Sequence, residues 1–564
     1  MWTCFLGTMI KFILSLLFIF FLQVYLFSWC FVAEYSPVIQ TTKGPVKGLV
    51  LKTIRESKKY HSYRGIPYGE PPIGHLRFRP PVEVDPWTKV FDATKDGPIC
   101  PQMHNNKFIG QEDCLNLNVY TPQLPKDGKD TNLKAVMYWI FGGGFLSGAA
   151  SKFNYSPDYL IEEDIIVVTV NYRLGALGFL ALQHQNATGN AGLKDQNLGL
   201  RWVHDNIAKF GGDPNKVTIV GGSAGSVSVD FHILSEKSKG LFRSSIAMSG
   251  VSLAYYAFSI PEDAIKTAYE FAKKLGSTAM NVDELLEFYY KVDVENLTRT
   301  ISNITRINIP LKPTLENPNN GPDWFLTECS LKKSISGNYN HGSHMLGYAK
   351  DEIISFLDTM DGILDCVKFS WTYALQLGIT KIDMPNIEYG ITNVSLHQII
   401  KTATEVLFIS PIDYKEKLMA KFDDPIYYYR YDFIYNKSLH KILLGIDIDG
   451  AAHGDDLEMI FYSDLFQVNP NAKNRMTLLQ KRMTRLWANF IKYGNPTPNG
   501  TNDTLLNVVW PDSRESGKML WLNDDLEIHD RYKSQDITMI ETGLQLNGGP
   551  RDGCNNKWKN NIQD

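Results

Sequence analysis

Short apolar runs recur along the body of the chain and have the length of β-strands. They are rich in β-branched and aromatic residues and do not alternate strictly between apolar and polar positions. The clearest are residues 135–140 (AVMYWI), 165–170 (IIVVTV), 217–220 (VTIV), 244–248 (SSIAM) and 426–433 (IYYYRYDF). Strands covered on both faces have this continuous pattern, which is typical of a mostly parallel sheet.

Helical patterns lie between these runs. In residues 198–210 (LGLRWVHDNIAKF) the apolar side chains fall near a spacing of 3.6 residues, as on one face of a helix. No internal repeat, low-complexity block or Pro/Ser/Gly-rich linker divides the body of the chain. Alternating strands and helices therefore predict one large domain of the α/β class, with a central, mostly parallel mixed sheet flanked by helices on both faces.

The N-terminus differs from the rest, because residues 12–33 form an almost unbroken apolar run. This is typical of a secretory signal, and the small residues near its end predict cleavage after Cys30, with Ala33 as the second choice. The run is also close to the length that crosses a bilayer, so an uncleaved signal anchor is the alternative. Both interpretations place residues 34–564 in the secretory route.

We therefore expect a signal peptide at 1–30, the α/β domain at 34–545 and a polar tail at 546–564. The tail has neither an apolar GPI signal nor a KDEL-like ending. After signal cleavage we expect a secreted protein with no membrane segment.

Eight N-x-S/T sequons agree with extracellular placement. The sequon at Asn154 is a poor acceptor because Pro157 follows directly. The expected glycosylation sites are Asn186, Asn296, Asn303, Asn393, Asn436, Asn499 and Asn502.

Seven cysteines are present, and two of them would leave with the signal. The five that remain cannot all pair within one chain. We expect Cys329 and Cys366 to be buried thiols. Cys554 in the tail is either free or joins two chains, so a monomer and a homodimer both stay open.

Composition excludes some classes of protein. The chain of 564 residues has 57 Lys+Arg against 61 Asp+Glu, a net charge of -4, which argues against a nucleic-acid partner. With 44% hydrophobic and 21% charged residues it has enough apolar mass for a large core. No C-x-x-C or H-E-x-x-H spacing is found, so no metal or other cofactor is expected.

Candidate chemistry begins where the run VTIV leads directly into Gly221-Gly-Ser223-Ala-Gly225 and then a helical pattern through Leu234. A strand that turns at once into a helix forces the serine into a strained conformation and brings neighbouring backbone close, so glycines are needed around it. The turn would present the Ser223 hydroxyl as a nucleophile. It would also aim the Ala224 N–H toward the oxygen of an attacked carbonyl.

A second glycine run follows another predicted strand upstream, as Phe141-Gly-Gly-Gly-Phe145. Acyl transfer needs donors for the oxyanion, and backbone N–H groups of Gly143 and Gly144 can serve without side chains that block the substrate. Found before a G-x-S-x-G turn, this loop favours an oxyanion hole over a structural turn.

A serine hydroxyl needs a histidine base and an acid that orients it, in the chain order Ser, acid, His. His453 lies in a loop of small residues after the run IYYYRYDF, while His440 and His397 sit in polar surroundings typical of the surface. Glu352 follows the strand-like segment 344–349 (HMLGYA). Asp351 is its main competitor as the acid, and Asp455 and Asp456 are interpreted as supporting or structural.

In its motifs the chain resembles the type-B carboxylesterases, the carboxylesterase/cholinesterase branch of the α/β-hydrolases. The resemblance covers residues 34 to about 545. It rests on the segments Gly65–Pro72 (GIPYGEPP), Leu76–Phe78 (LRF), Glu112–Asn118 (EDCLNLN), Asn171–Gly175 (NYRLG), Gly189–Gln196 (GNAGLKDQ), Gly211–Pro214 (GGDP), Gly221–Gly225 (GGSAG) and His453-Gly454.

The resemblance implies a role for each site residue. Ser223 would be the nucleophile, Glu352 the acid and His453 the base. Gly143, Gly144 and Ala224 would form the oxyanion hole. Two further implications are that Ser249, in a Met-Ser-Gly turn, supports the triad and that Cys100 pairs with Cys114.

The chain departs from the family pattern at several positions. Phe141 replaces the usual His or Tyr before the glycines, and Ile353 replaces a frequent Gly after the acid. The stretch between Cys100 and Cys114 has no Trp of the kind that binds quaternary ammonium groups in cholinesterases, which argues against choline esters. GGSAG in place of the GQSAG typical of juvenile-hormone esterases argues against that activity.

The expected function is a secreted serine carboxylesterase that hydrolyses small-molecule carboxylic esters through an acyl-enzyme. One alternative is a lipase of the same branch. The other is a catalytically silent adhesion module, because the same fold also serves binding proteins.

Overall fold

The computed structural model describes residues 33–547, except for 126–131, 303–306, 308, 388–389, 464, 466–468 and 499–502. The expected signal peptide, the tail with Cys554, and the sequons at Asn303, Asn499 and Asn502 lie outside the described residues. In the part of the chain that is described, no helix is both long and apolar enough to cross a membrane.

An 11-stranded mixed sheet forms the centre of the molecule. Its strands, in chain order, are β1 (Leu49–Lys52), β2 (Lys59–Pro67), β3 (Asn116–Thr121), β4 (Lys134–Ile140), β5 (Ile166–Val170), β6 (Gly212–Gly222), β7 (Ser244–Met248), β8 (Ser343–Ala349), β9 (Ile426–Tyr431), β10 (Lys518–Leu522) and β11 (Leu526–Asp530). Their order across the sheet is β11-β10-β9-β8-β7-β6-β4-β5-β3-β2-β1.

The middle of this sheet, from β10 to β5, is parallel, and β11 and β3 pair with its two sides in the antiparallel sense. Every residue of β3, β5, β7 and β9 is buried, which requires cover on both faces of the sheet. The predicted α/β class and mostly parallel sheet are confirmed.

Helices connect and cover the strands. They are α1 (Asp158–Glu162), α2 (Gly175–Phe179), α3 (Ala191–Asn206), α4 (Ala224–Leu234), α5 (Pro261–Lys274), α6 (Val282–Lys291), α7 (Val294–Ser302), α8 (Ser330–Ser336), α9 (Met360–Gln376), α10 (Asn393–Thr404), α11 (Ser410–Met419), α12 (Leu439–Leu444), α13 (Arg475–Tyr493), α14 (Ser513–Ser516) and α15 (Gln535–Asn547). A π-helical turn, Glu405–Ile409, joins α10 to α11.

Small elements complete the architecture. A three-stranded sheet contains Ile39–Gln40, Pro45–Lys47 and Phe91–Asp92, and a hairpin contains Gln102–His104 and Lys107–Ile109. Short 3₁₀ turns are Gly74–Leu76, Ile207–Phe210, Glu236–Ser238, Pro318–Asn320, Glu352–Phe356 and Leu457–Met459.

The helix predicted at residues 198–210 is longer than predicted and consists of an α-helical part and a 3₁₀ part. It begins at Ala191, ends as an α-helix at Asn206 and continues as the 3₁₀ turn Ile207–Phe210. Its first turns were missed because they are polar, and they are nevertheless buried. Asp195 there forms a fully buried ion pair with Arg173.

The bonding state of one cysteine differs from the sequence-based expectation. Cys100 and Cys114 form a disulfide. Cys366 is a buried free thiol. Cys329 is buried but disulfide-bonded, so the expectation of a free thiol at that position was wrong. Its polar helix-terminal surroundings gave no sign of a partner in sequence.

The described sequons differ in accessibility. Asn296, Asn393 and Asn436 are exposed, as is Asn154. Asn186 is half-buried, and its side-chain oxygen accepts a hydrogen bond from Arg79.

Candidate active site

The backbone turns sharply at Ser223, between β6 and α4. Ser223 has φ 57° and ψ −124°, a conformation that costs free energy for a residue with a side chain. The flanking glycines permit it, because a Cβ at Gly225 would collide with the Ile140 carbonyl oxygen and one at Gly221 would collide with that of Gly225. The glycines predicted to be necessary in this turn are therefore required by its backbone geometry.

The triple-glycine loop lies directly against Ser223. A Cβ at Gly142 would be 2.8 Å from Ser223 Cβ and 2.6 Å from the Gly222 carbonyl oxygen. Since β4, which leads into this loop, pairs in parallel with β6, both loops leave the same edge of the sheet. The structure thus brings the two glycine motifs together.

The loop is folded so that one N–H points outward. Gly143 and Gly144 have φ 113° and 61°, in the region that favours glycine. The Gly143 carbonyl accepts hydrogen bonds from the N–H groups of Leu146 (3.0 Å) and Ser147 (3.1 Å). In a planar trans peptide the next N–H points the opposite way, so the Gly144 N–H is directed away from the loop.

Phe141 is an inner support of this loop. It is fully buried, and its ring stacks on Tyr172 with centroids 4.5 Å apart. The Tyr172 hydroxyl donates a hydrogen bond to the Phe141 carbonyl at 2.8 Å. The departure from His or Tyr at this position therefore places a buried apolar ring in the packing beneath the glycines.

Glu352, just after β8, and His453, in the loop after α12, are hydrogen-bonded. Glu352 is fully buried; its Oε2 pairs with Nδ1 of His453, and its Oε1 accepts from the Ala349 N–H at 2.7 Å. Asp351 points elsewhere, because its Oδ2 accepts from the Ala451 N–H at 3.2 Å. Of the two sequence candidates for the acid, Glu352 is the one that contacts the imidazole.

Two aromatic rings border the His453 imidazole. Phe408, from the π-helical turn, has its centroid 5.2 Å from the imidazole, and Phe356 has its centroid 5.3 Å away. The other ring nitrogen, Nε2, is buried and has no hydrogen-bond partner among the described residues. The contact between Phe408 and His453 was not predicted from the sequence, because no local pattern around Phe408 shows which loop its ring faces.

The His453 loop and the Ser223 turn share a contact through Leu457. A Cβ at Gly222 would be 3.2 Å from Leu457 Cδ2, and one at Gly454 would be 3.9 Å from Leu457 Cδ1. The residue before Ser223 and the residue after His453 thus both approach the Leu457 side chain.

Ser249 and Asp456 are two further buried polar residues of the candidate site. Ser249, after β7, is buried; its N–H donates to the Gly347 carbonyl at 2.9 Å, and its hydroxyl has no partner in the described part of the chain. Burial, together with the charge of Glu352, raises the pKa of Asp456 to about 7, and its Oδ2 accepts from the Tyr429 hydroxyl at 3.0 Å.

The two remaining candidate histidines differ from each other. His397 is exposed on α10, as expected. His440 was expected at the surface, but it is fully buried and paired with Asp455 at 2.8 Å, so that expectation was wrong. The partner is 15 residues away in sequence, and local polarity did not reveal it.

A parallel sheet that carries a strained serine between a strand and a helix, with a buried acid and histidine on later loops, defines an α/β-hydrolase. Residues 35–540 match the model of the carboxylesterase family. The chain therefore belongs to the carboxylesterase family.

Individual relatives agree with this assignment. A carboxylic ester hydrolase of Bombus ignitus is 39% identical over 318 residues, which is 55% of each chain. A juvenile hormone esterase of Tribolium castaneum is 32% identical over 538 residues, 87% of this chain and 90% of that one. The crystal structure of juvenile hormone esterase from Manduca sexta, with OTFP covalently attached, superimposes with a TM-score of 0.79 at 27% identity and covers 91% of this chain and 99% of that one.

The family and these relatives together make the protein a carboxylic ester hydrolase that acts on small-molecule esters.

Proposed function

We propose that the protein is a secreted serine carboxylesterase that works through a Ser223–His453–Glu352 triad and an acyl-enzyme. The observation that carries the proposal is the pairing of His453 Nδ1 with the buried Glu352 carboxylate, which leaves Nε2 without a partner in the described residues. A nucleophile strained in a strand-to-helix turn and a base held by a buried acid are the parts that acyl transfer needs.

In the first half-reaction His453 Nε2 takes the Ser223 hydroxyl proton as the oxygen bonds to the ester carbonyl carbon. The carbonyl oxygen becomes an oxyanion, which accepts hydrogen bonds from the N–H groups of Gly143, Gly144 and Ala224. The bond to the alcohol oxygen then breaks as His453 returns the proton to that oxygen, and the alcohol leaves.

In the second half-reaction His453 takes a proton from water, and the hydroxide attacks the acyl carbon. Collapse of the second oxyanion breaks the bond to Ser223, which regains its proton from His453, and the acid leaves. Glu352 holds the imidazole in one tautomer and stabilises the imidazolium. Ser249 is a supporting residue of the triad.

A covalent acyl-enzyme is in keeping with the Manduca sexta structure, in which OTFP is covalently attached to that related esterase. The equivalent attachment point that we propose for this chain is the Ser223 hydroxyl.

For localisation we propose secretion, with cleavage after Cys30 or Ala33 and glycans on the seven sequons named above. Support comes from the apolar N-terminal run, the Cys100–Cys114 disulfide and the exposure of Asn296, Asn393 and Asn436. Expression in a secretory cell line should deliver to the medium a protein that starts near residue 31 or 34. Retention in the membrane fraction would favour the signal anchor.

The activity is tested with p-nitrophenyl esters from acetate to palmitate, with the Ser223→Ala variant beside the wild type. We expect turnover of short acyl chains that the substitution abolishes. Preference for long chains would indicate a lipase, and no turnover by folded protein would favour a binding module.

A further inference from the structure

His440 is a buried histidine that the proposed reaction does not use. It lies in α12, fully buried, with Nδ1 2.8 Å from Asp455 Oδ2 and Nε2 2.8 Å from the carbonyl oxygen of Ile448. The Ser438 hydroxyl is also 3.0 Å from Nδ1.

The carbonyl and carboxylate partners favour a ring that carries a hydrogen on both nitrogens. A backbone carbonyl and an ionised carboxylate only accept hydrogen bonds, so each of the two nitrogens must carry a hydrogen to bond them. The ring is then an imidazolium, and its charge is balanced by Asp455 within a fully buried pair. A neutral ring would lose one of the two bonds.

The two partners lie at opposite ends of the loop that carries His453. Ile448 stands near the start of the loop, five residues before His453, and Asp455 stands two residues after His453. Asp455 also binds the loop from within, because its Oδ2 accepts from the Ala452 N–H at 2.8 Å. The Ala452 carbonyl in turn accepts from the Asp455 N–H at 3.1 Å.

We propose that protonated His440 is a positioning residue that closes the loop 448–455 and so holds the His453 imidazole in its working orientation. The inference rests on the proposed function, since it gives His453 the role of base. His440 itself does not touch the reacting atoms.

A positioning role for protonated His440 implies that kcat falls as rising pH removes its proton. Burial alone would lower the pKa of His440, but the hydrogen bond and charge of Asp455 and the bond to Ile448 raise the pKa above its ordinary value, against the opposing charge of Lys441. Lys441 is itself paired with Asp449. Glu458, near Asp455, has a pKa that is raised, chiefly by burial. The loop is therefore closed while His440 carries its second ring proton, and it opens as rising pH removes that proton.

The test compares the pH profile of kcat for a short p-nitrophenyl ester between wild type and His440→Gln. Wild-type kcat should fall at alkaline pH, before global unfolding. The variant should have kcat lower by about 10- to 100-fold at neutral pH, with KM unchanged and no alkaline fall, because a misplaced base loses rate without loss of substrate binding.

His344→Gln is the matched control. His344 is equally buried, but it bonds the Ser245 hydroxyl, at the far end of β7 and β8 from the active site. This variant should melt at a lower temperature and keep the alkaline fall of the wild type. The melting temperatures of all variants separate a positioning effect from simple loss of stability.

A second variant covers the case in which His440→Gln does not fold. Asp455→Asn keeps an oxygen for the Ala452 N–H but removes the charge beside His440, so the alkaline fall of kcat should move to lower pH. An unshifted fall would overturn the proposal, as would a wild-type kcat that stays level up to alkaline unfolding.

The experiments distinguish failure of the proposed function from failure of the positioning role of His440. If wild-type protein neither turns over esters nor is modified at Ser223, the triad is wrong. If the wild type is active and His440→Gln matches it in kcat and pH profile, only the positioning role is overturned.

Discussion

Gly142 is packed against Ser223 so closely that a methyl group on it would lie 2.8 Å from Ser223 Cβ. The contact joins the triple-glycine loop to the proposed nucleophile across the pair β4–β6. Gly142→Ala should therefore displace one of the two, and a shift of about 1 Å at a reacting centre costs roughly 100-fold in rate. kcat on a short-chain ester measures the effect.

Gly240→Ala is a control for this experiment, since a Cβ at Gly240 meets nothing within 4 Å, although its φ of 78° costs some stability. Activity of Gly142→Ala equal to that of Gly240→Ala would contradict the packing argument.

Glu352 and Asp351 are adjacent carboxylates with different partners, which makes them a matched pair for substitution. Glu352→Gln keeps the shape but removes the charge that, in the proposed triad, holds the His453 tautomer, so kcat should fall by about 10³- to 10⁴-fold. Asp351→Asn still offers an oxygen to the Ala451 N–H and should keep most of the activity. Equal losses in the two variants would remove Glu352 from the triad.

The nucleophile turn, the glycine loop and the buried central strands were all predictable, because each depends on local spacing. The pairing of Asp195 with Arg173, or of His440 with Asp455, was not, because both are buried ion pairs between segments that look polar and exposed in sequence. The same reason explains the missed first turns of α3. The choice between Asp351 and Glu352 also needed coordinates, since a difference of one residue decides which carboxylate reaches His453.

Asp456 gives the folding stability a pH dependence. Its pKa is raised to about 7, mainly by burial and then by Glu352. A carboxyl with a folded-state pKa above the unfolded value binds more protons in the folded state, so its contribution to stability is present at low pH and is lost as pH rises from about 4 to 7.

Asp456→Asn should therefore reduce the fall in unfolding free energy between about pH 4 and 7, as measured by urea denaturation. Asp525→Asn, at an exposed position, serves as the control and should leave the slope unchanged. A slope in Asp456→Asn equal to that of the wild type would show that Asp456 titrates normally.

The Cys100–Cys114 disulfide closes a segment with a sequence separation of 14. In the chain-entropy model its loss costs about 3 kcal/mol of folding free energy. The double substitution Cys100→Ser with Cys114→Ser should lower the urea midpoint accordingly. A reductant should lower the wild-type midpoint by at least as much, because it also reduces the disulfide of Cys329.

The most direct test of the triad is mass analysis of peptides after reaction with an organophosphate. We predict a single stoichiometric adduct on the peptide that contains Ser223, in step with the loss of esterase activity, and none in His453→Ala at the same exposure. An adduct on another residue, or full loss of activity without modification of Ser223, would contradict the assignment of Ser223 as the nucleophile.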